Sequence, residues 1–598
     1  MYRYMTVPYW EISSTDLVNV IFSLLNFFTH ALGKFRKHGT VVTTNRGCLL
    51  SQHTLPCYTL LPPSSCFRKM CTSHTHSHLD ETITKMNSHC SRPDNGVAST
   101  SRDPVLISSL ATETLQDIFL FCVHLDGSPE SLLDASWSPI LLSHVSRYWR
   151  ELALSMPRLW NTLFLCGPYQ TTETYLKPSS DYSLSIWLQR LQIFLHRSET
   201  LPLTIYFDLR CPTWSHSRPE MFHPFTIERM SAIVDILIPH ISRWESVEIL
   251  SDTWSPLYIF LGRCSPSTSP SVDGNKMAKT TVPRALRRLS LSRCNAYFSM
   301  PDVLFAPTKW SDHFALFGGE APLLKQVLLA GVHVNWINSP IQNLTELSLK
   351  YHAQDVLPSL SQFITILRAS PRLEKLSIYG WAVCSLDETE ALSTLKEAIH
   401  LPQLYELALG WVDAEYTIRF FSLFSFRMPR LRSIALEDIM NNLNPITTLN
   451  SSAILDDLSS RLTENLDPNS ETGNVSNVEE LTVHGMDCTL DSCSRFMCTF
   501  PNLRTLALHN TSQTFLTSLQ PPIDDGSAQF ACPVLSRLEL RDIEEMDRSE
   551  AEQLLEARQE WMTRTGETPP QGTLLGFLIL VACTDCEFSQ LRFSGVLE

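Results

Sequence analysis

Glycine is scarce, at 20 of 598 residues. The chain holds no Gly-x-x-x-x-Gly-Lys loop to cradle phosphates and no Gly-x-Gly-x-x-Gly turn for a dinucleotide. Gly-x-Ser-x-Gly and His-Glu-x-x-His are missing as well, so no motif for a serine or zinc hydrolase stands out. The expected reading is a protein that is not an enzyme and takes no cofactor. Basic runs are also absent, and the formal net charge is -15. Nucleic-acid binding is disfavoured, because neutralising phosphates needs clustered Lys and Arg. Long apolar runs are lacking too. Leu17–Phe28 is interrupted by Asn19 and Asn26, and Leu574–Ala582 is only nine residues. A span needs about 20, so no membrane partner is expected. The start lacks a basic region followed by a small-residue cleavage site, which argues against secretion. Cysteine is present but odd in number, 17, and scattered. That pattern suits reduced thiols rather than a disulfide framework, and a cytoplasmic and/or nuclear location.

What the chain does have is a globular composition, 43% hydrophobic and 18% charged, and a recurring unit. The unit reads Leu-x-x-Leu-x-Leu, often with proline just ahead. It occurs at Leu286–Leu291, Leu324–Leu329, Leu344–Leu349, Leu373–Ile378, Leu404–Leu409, Leu431–Leu436, Val478–Val483, Leu503–Leu508 and Leu535–Leu540. A weaker copy is Trp244–Ile249. This is the strand half of a leucine-rich repeat. It predicts parallel strands at about 247–250, 286–291, 326–329, 345–349, 374–378, 405–409, 432–436, 479–483, 504–508 and 536–540. The two apolar residues at the end of each motif should be buried, since both point to the same strand face. Helical periods lie between the motifs: Met230, Ile233, Val234 and Leu237; Leu360, Phe363, Ile364 and Leu367; Leu392, Leu395 and Ile399; Leu455, Leu458 and Leu462. Motif starts are roughly 20 to 47 residues apart, against about 20–29 in regular families. The longer gaps hold inserts at Cys264–Pro283 and Asn441–Asn474.

A different pattern occupies 104–165. Leu115, Ile118, Phe119 and Cys122 make one apolar helical face, and Leu142, Val145, Trp149, Leu152 and Ala153 make a second. The Asp126-Gly-Ser-Pro-Glu stretch between them reads as a loop, and Met156-Pro157 ends the second helix. The bland reading is a plain helical hairpin that caps the neighbouring domain. The residues are more specific than the period, however. They run Leu110-Ala-Thr-Glu113-Thr-Leu115, Ile118-Phe119, Leu142-Ser-His-Val145-Ser-Arg147-Tyr-Trp149-Arg150 and Pro157-Arg-Leu159-Trp160. This resembles the F-box of ubiquitin-ligase substrate receptors, in the version common in mushroom-forming fungi. Ala111 stands where that family usually has proline, and Ser146 where cysteine is common.

The expected fold is therefore α/β: an N-terminal helical F-box module, then an irregular leucine-rich-repeat solenoid with one parallel strand per repeat and helices on the outer face. Its parts are a poorly ordered extension at 1–100, the module at 104–165, the solenoid at 166–540, and a cap at 541–598. The cap would hold an acidic helix over Glu550–Met562 and a strand over Leu574–Cys583. Met86 is a candidate true start. Cys66, Cys71, His74, His76, His78 and Cys90 have metal-ligand types but not the paired spacing of a zinc site. Cys583-Thr-Asp-Cys586 is a single pair that cannot close one, so no metal is expected.

The resemblance implies docking on a Skp-type adaptor, and through it on a cullin–RING ligase, while the repeats hold an unknown protein target. Adaptor-binding candidates are Leu110, Glu113, Leu115, Ile118, Phe119, Leu142, Val145 and Trp149. Of the adjacent pair Ile118 and Phe119, one should face inward and the other outward, about 100° apart. Trp149 and Leu152 are expected to serve the module's own core. The rival reading is a protein-interaction scaffold with no ubiquitin-ligase role.

Overall fold

The structure is a computed structural model. It describes residues 110–123, 129–166, 180–211, 214–215, 218–265, 282–294, 312–386, 399–425, 428–443, 450–463, 477–521, 530–541 and 543, and 553–554, 556–558, 560–561, 578–582 and 589–592 in the tail. The extension at 1–100, the Met86 start, the His/Cys tract at 66–90 and the Cys583–Cys586 pair lie outside the described residues.

The chain divides into two units, Met1–Leu115 and Gln116–Glu598. In the first, the described residues are 110–115. They open helix α1 (Thr112–Val123), with Leu115 N donating to Ala111 O at 3.0 Å and Leu115 buried.

The second unit is α/β and solenoid-like. Its centre, among the described residues, is a 14-stranded sheet. The strands are β1 (Thr162–Cys166), β2 (Leu203–Asp208), β3 (Trp244–Ser251), β4 (Arg288–Arg293), β5 (Gln326–Ala330), β6 (Glu346–Lys350), β7 (Lys375–Tyr379), β9 (Glu406–Trp411), β11 (Ser433–Asp438), β12 (Glu480–His484), β13 (Thr505–His509), β14 (Arg537–Arg541), β15 (Leu578–Ala582) and β16 (Ser589–Arg592). They lie side by side in sequence order. All neighbours pair parallel except β15 with β16, which is antiparallel. A small parallel pair, β8 (Ile399–His400) with β10 (Phe424–Ser425), stands apart.

The motif explains the sheet. Its last two apolar positions are buried in each copy from Val247/Ile249 to Leu538/Leu540. Matching positions pair across the ladder, as in Leu376↔Leu407 and Leu506↔Leu538. Proline sets the entry. In Ser370-Pro-Arg-Leu373, Met428-Pro-Arg-Leu431 and Phe500-Pro-Asn-Leu503 the leucine N–H donates to the carbonyl three residues back, at 3.0, 3.1 and 3.2 Å. Proline at the second position of such a turn presets the backbone, and the chain then enters the strand.

Helices form a second layer: α2 (Pro129–Val145), α3 (Arg147–Leu154), α4 (Ser180–Arg197), α5 (Ile227–Leu237), α6 (Trp254–Cys264), α7 (Leu360–Arg368), α8 (Ala414–Phe421), α9 (Ile439–Leu443), α10 (Ser452–Thr463), α11 (Leu490–Cys498) and α12 (Thr514–Thr517). Trp244 of β3 stacks on Phe260 of α6, with ring centroids 6.0 Å apart. Met230, Ile233, Val234 and Leu237 of α5, and Leu360, Phe363, Ile364 and Leu367 of α7, are buried as their spacing implies.

Four expectations change. The apolar face from Leu142 to Ala153 is not one helix. Ser146 is extended (φ -155°, ψ 169°) and its hydroxyl caps α3, accepting from Trp149 N at 3.1 Å, so the helix breaks there. The loop drawn over Asp126–Glu130 ends early, because Pro129 already opens α2, where a proline costs no helical hydrogen bond. Ile399 belongs to β8 rather than a helix, while Leu392 and Leu395 lie outside the described residues. The sheet also starts before the first motif, at β1 and β2, so its first strand lies inside the stretch expected to be the helical module. In the tail, β15 falls within the strand drawn over Leu574–Cys583, and residues 553–554, 556–558 and 560–561 are helical.

Candidate functional site

Two surfaces matter: the helices at 112–154 and the sheet face opposite the buried strand positions. In the first, Phe119 is fully buried and meets Trp149 with ring centroids 4.9 Å apart, tilted by 60°. Arg150 Nε donates to Ser143 O at 2.8 Å, tying α3 to the end of α2. Trp160 Nε1 donates to Ala153 O at 2.9 Å, and Trp160 also packs on Phe194 and under the Arg197 guanidinium. The Pro157-Arg-Leu159-Trp160 stretch thereby anchors the helices to α4 and the start of the sheet.

The sequence candidates separate by exposure. Leu115, Phe119 and Leu142 are buried, Leu110, Ile118 and Trp149 are half-buried, and Glu113 and Val145 are exposed. Phe119 is thus the inward member of its pair, with Ile118 the more open one. Leu152 is buried and Trp149 only half so. Sequence reading missed three outward apolar residues, Phe121, Tyr148 and Leu154, which are 53%, 45% and 41% exposed. Ile118 and Phe121, three apart, share one side of α1, a spacing that could have pointed to Phe121. The break at Ser146 is what frees Val145 and Tyr148 from a single buried stripe.

The open sheet face is built by register. Along one row run Ala330, Lys350, Tyr379, Gly410, Glu437, His484, His509 and Arg541. Its charges are largely matched on the sheet. Glu437 and His484 come within 3.7 Å, and His509 and Glu539 within 3.4 Å. The nearby His509 imidazole holds the Glu539 carboxyl below its usual range, against burial and with help from Arg541 and Arg537. Lys375 and Glu406 pair at 2.6 Å. Beside this row lie small residues, Ser348, Ser377, Ala408, Ala435, Thr482 and Ala507, of which Ser348, Ala408 and Ala507 are buried. The face therefore sets polar and charged side chains that contact one another beside small, partly buried residues, on a low surface.

Among the described residues, no three His, Cys, Asp or Glu side chains are placed to hold a metal ion, and no helix is long and apolar enough to cross a membrane. Compared with protein-family models and with curated proteins, the chain finds no match.

Proposed function

We propose that this chain is the substrate-recognition subunit of a Skp–cullin–F-box type ubiquitin ligase. In this reading the helices at 112–154 are an F-box that docks on the Skp-type adaptor. The strand–helix units are leucine-rich repeats with their helices on the outer face, and the open sheet face takes the target protein. The receptor breaks no bonds itself. It raises the effective concentration of a target lysine near the charged ubiquitin-conjugating enzyme.

One observation carries the reading. Most residues of the F-box-like pattern, from Glu113 to Arg150, fall on three consecutive helices with a Phe119–Trp149 seam inside and Ile118, Phe121, Val145, Tyr148 and Leu154 partly or largely outside. An outward apolar set of this kind suits docking into a partner's groove through a few large anchors. The test is a pull-down with a purified Skp-type adaptor. Ile118→Asp and Phe121→Asp each abolish binding while circular dichroism stays unchanged. Phe119→Asp is unsuitable, since it buries a charge in the seam. Full binding by both folded variants would remove the F-box reading and leave the scaffold.

A further inference from the structure

The loops that leave β6, β7 and β9 at their C-terminal ends are tied into one rim. Tyr351 N donates to Tyr379 O at 2.8 Å, and Gly380 N to Gly410 O at 2.9 Å. Gln354 Nε2 donates to Cys384 O at 3.1 Å, and Cys384 N to Pro358 O at 3.1 Å. Tyr416 of α8 adds a further tie, its hydroxyl accepting from Ala382 N and Val383 N, both at 3.0 Å. On this frame stand three half-buried aromatic residues, Tyr351, Tyr379 and Trp381. Gly410 lets the Tyr379 ring lie against β9, since a Cβ there would come within 2.5 Å of Tyr379 Cδ1. The Tyr351 and Tyr379 ring centroids are 6.0 Å apart, and Trp381 meets Tyr416 edge-on at 4.7 Å. Lys350 Nζ sits 4.5 Å from the Tyr379 centroid, so one of these rings already holds a cation. The exposed charges have the other sign. Among the described residues of the three loops and the first turn of α8 they are Asp355, Asp413 and Glu415. Asp413 also caps α8, accepting from Tyr416 N at 2.7 Å.

We propose that this rim is a docking site for a basic segment of a partner protein. The proposal rests on the reading of the open sheet face, which the rim borders, as the place of the target, and it adds the chemistry of what binds there. Lysine or arginine side chains of the partner lie over the Tyr351 and Trp381 rings, within reach of the three carboxylates. Aromatic faces attract cations, and tryptophan does so most strongly. Complementary charge then selects the partner and speeds the encounter more than it adds affinity. The backbone ties matter as well, because a rim already held in place loses little freedom when the partner arrives. An acidic segment would meet like charge here, and so would the phosphates of a nucleic acid.

The test uses the full chain and a fluorescein-labelled oligo-arginine peptide, read by fluorescence anisotropy at about 150 mM salt, where distant charges are screened. The expected result is binding of this peptide and none of an oligo-glutamate peptide of the same length. Combining Asp355→Asn, Asp413→Asn and Glu415→Gln should weaken binding about tenfold, and asparagine still caps α8 as aspartate does. A control combining Glu199→Gln, Glu228→Gln and Glu560→Gln removes the same charge at exposed positions on other elements, and should leave affinity within about twofold. Trp381→Leu keeps an apolar side chain and should lower affinity about fivefold. Absence of binding by the wild type, or equal loss in the rim and control variants, overturns the proposal. So does full binding by Trp381→Leu with an unchanged circular dichroism spectrum. Where that variant fails to fold, the two charge variants decide. The adaptor pull-down reads the helices at 112–154, so failure of either test leaves the result of the other standing.

Discussion

At the scale of single residues, burial creates chemistry that exposure would not. His352 is buried, with Nε2 2.9 Å from Val332 O, so that nitrogen carries the proton of a neutral ring. Burial pushes its pKa down to about 4, against the smaller pull of that carbonyl. His333 beside it is pushed to about 3, by burial first and then by His313, His352 and Arg293. The unfolded chain therefore takes up protons that the folded chain refuses. The stability tied to His352 is complete above about pH 6.5, falls as the pH drops toward 4, and changes no further below that. His352→Gln keeps a donor for Val332 and removes the titration. Between pH 7 and pH 5 the variant should lose about 2 kcal/mol less stability than the wild type, read from denaturant midpoints at the two values. Equal losses would show that His352 does not titrate on unfolding. Gly410 makes a steric case. A Cβ there would come within 2.5 Å of Tyr379 Cδ1 and 3.1 Å of Ile439 Cδ1. Gly410→Ala should cost about 1–3 kcal/mol by overpacking, and Tyr379→Ala in the same chain should recover part of it. A shift in thermal midpoint that Tyr379→Ala leaves unrelieved would point to the backbone instead.

Elements fail in their own ways. Leu506 is fully buried in β13 between Leu481 of β12 and Leu538 of β14. Leu506→Ala should cost about 2–5 kcal/mol, as large-to-small core changes do. The damage should concentrate in β12, β13 and β14, because stacked units couple to their neighbours. Hydrogen exchange that rises evenly from β3 to β14 would contradict that. Helix α7 begins with a full capping box, Ser359 and Gln362 each serving the other's backbone N–H. Ser359→Ala should cost about 1 kcal/mol, with faster exchange confined to the first turn of α7. Near the tail, Arg558 is buried. Its guanidinium donates to the carbonyls of Leu519, Ala531 and Cys532 at 2.8, 3.1 and 2.7 Å and lies over the Phe530 ring. Burial lowers its pKa to about 10, and the charge is retained at neutral pH. Arg558→Met strands three carbonyls at once and should cost about 2–4 kcal/mol. An unchanged unfolding midpoint would mean that water replaces the guanidinium there.

For the molecule as a whole, the ten strands written from the motif all appear, parallel and in order. The reason is local. Each Leu-x-x-Leu-x-Leu copy carries its own turn, its own alternation and its own buried pair, so no distant information is needed to place it. The strands β1 and β2 escaped because Thr162–Cys166 and Leu203–Asp208 mix aromatics into the alternation and lack the leading leucine. The α2–α3 break escaped because apolar spacing runs unbroken through Ser146, and only backbone geometry shows that its hydroxyl has become a cap. Likewise the candidate surface was legible as residue types but not as exposures. Periodicity finds the inward Leu115 and Phe119, while Phe121, Tyr148 and Leu154 stand out only once the helices are packed. The order of the sheet has one further consequence, for synthesis on the ribosome. From β2 onward each strand of the ladder pairs with the ladder strand made before it, so each finds one partner already translated. Nascent chains halted after successive strands should gain protease resistance in steps, one strand–helix unit at a time, with a single growing edge that moves toward the C-terminus.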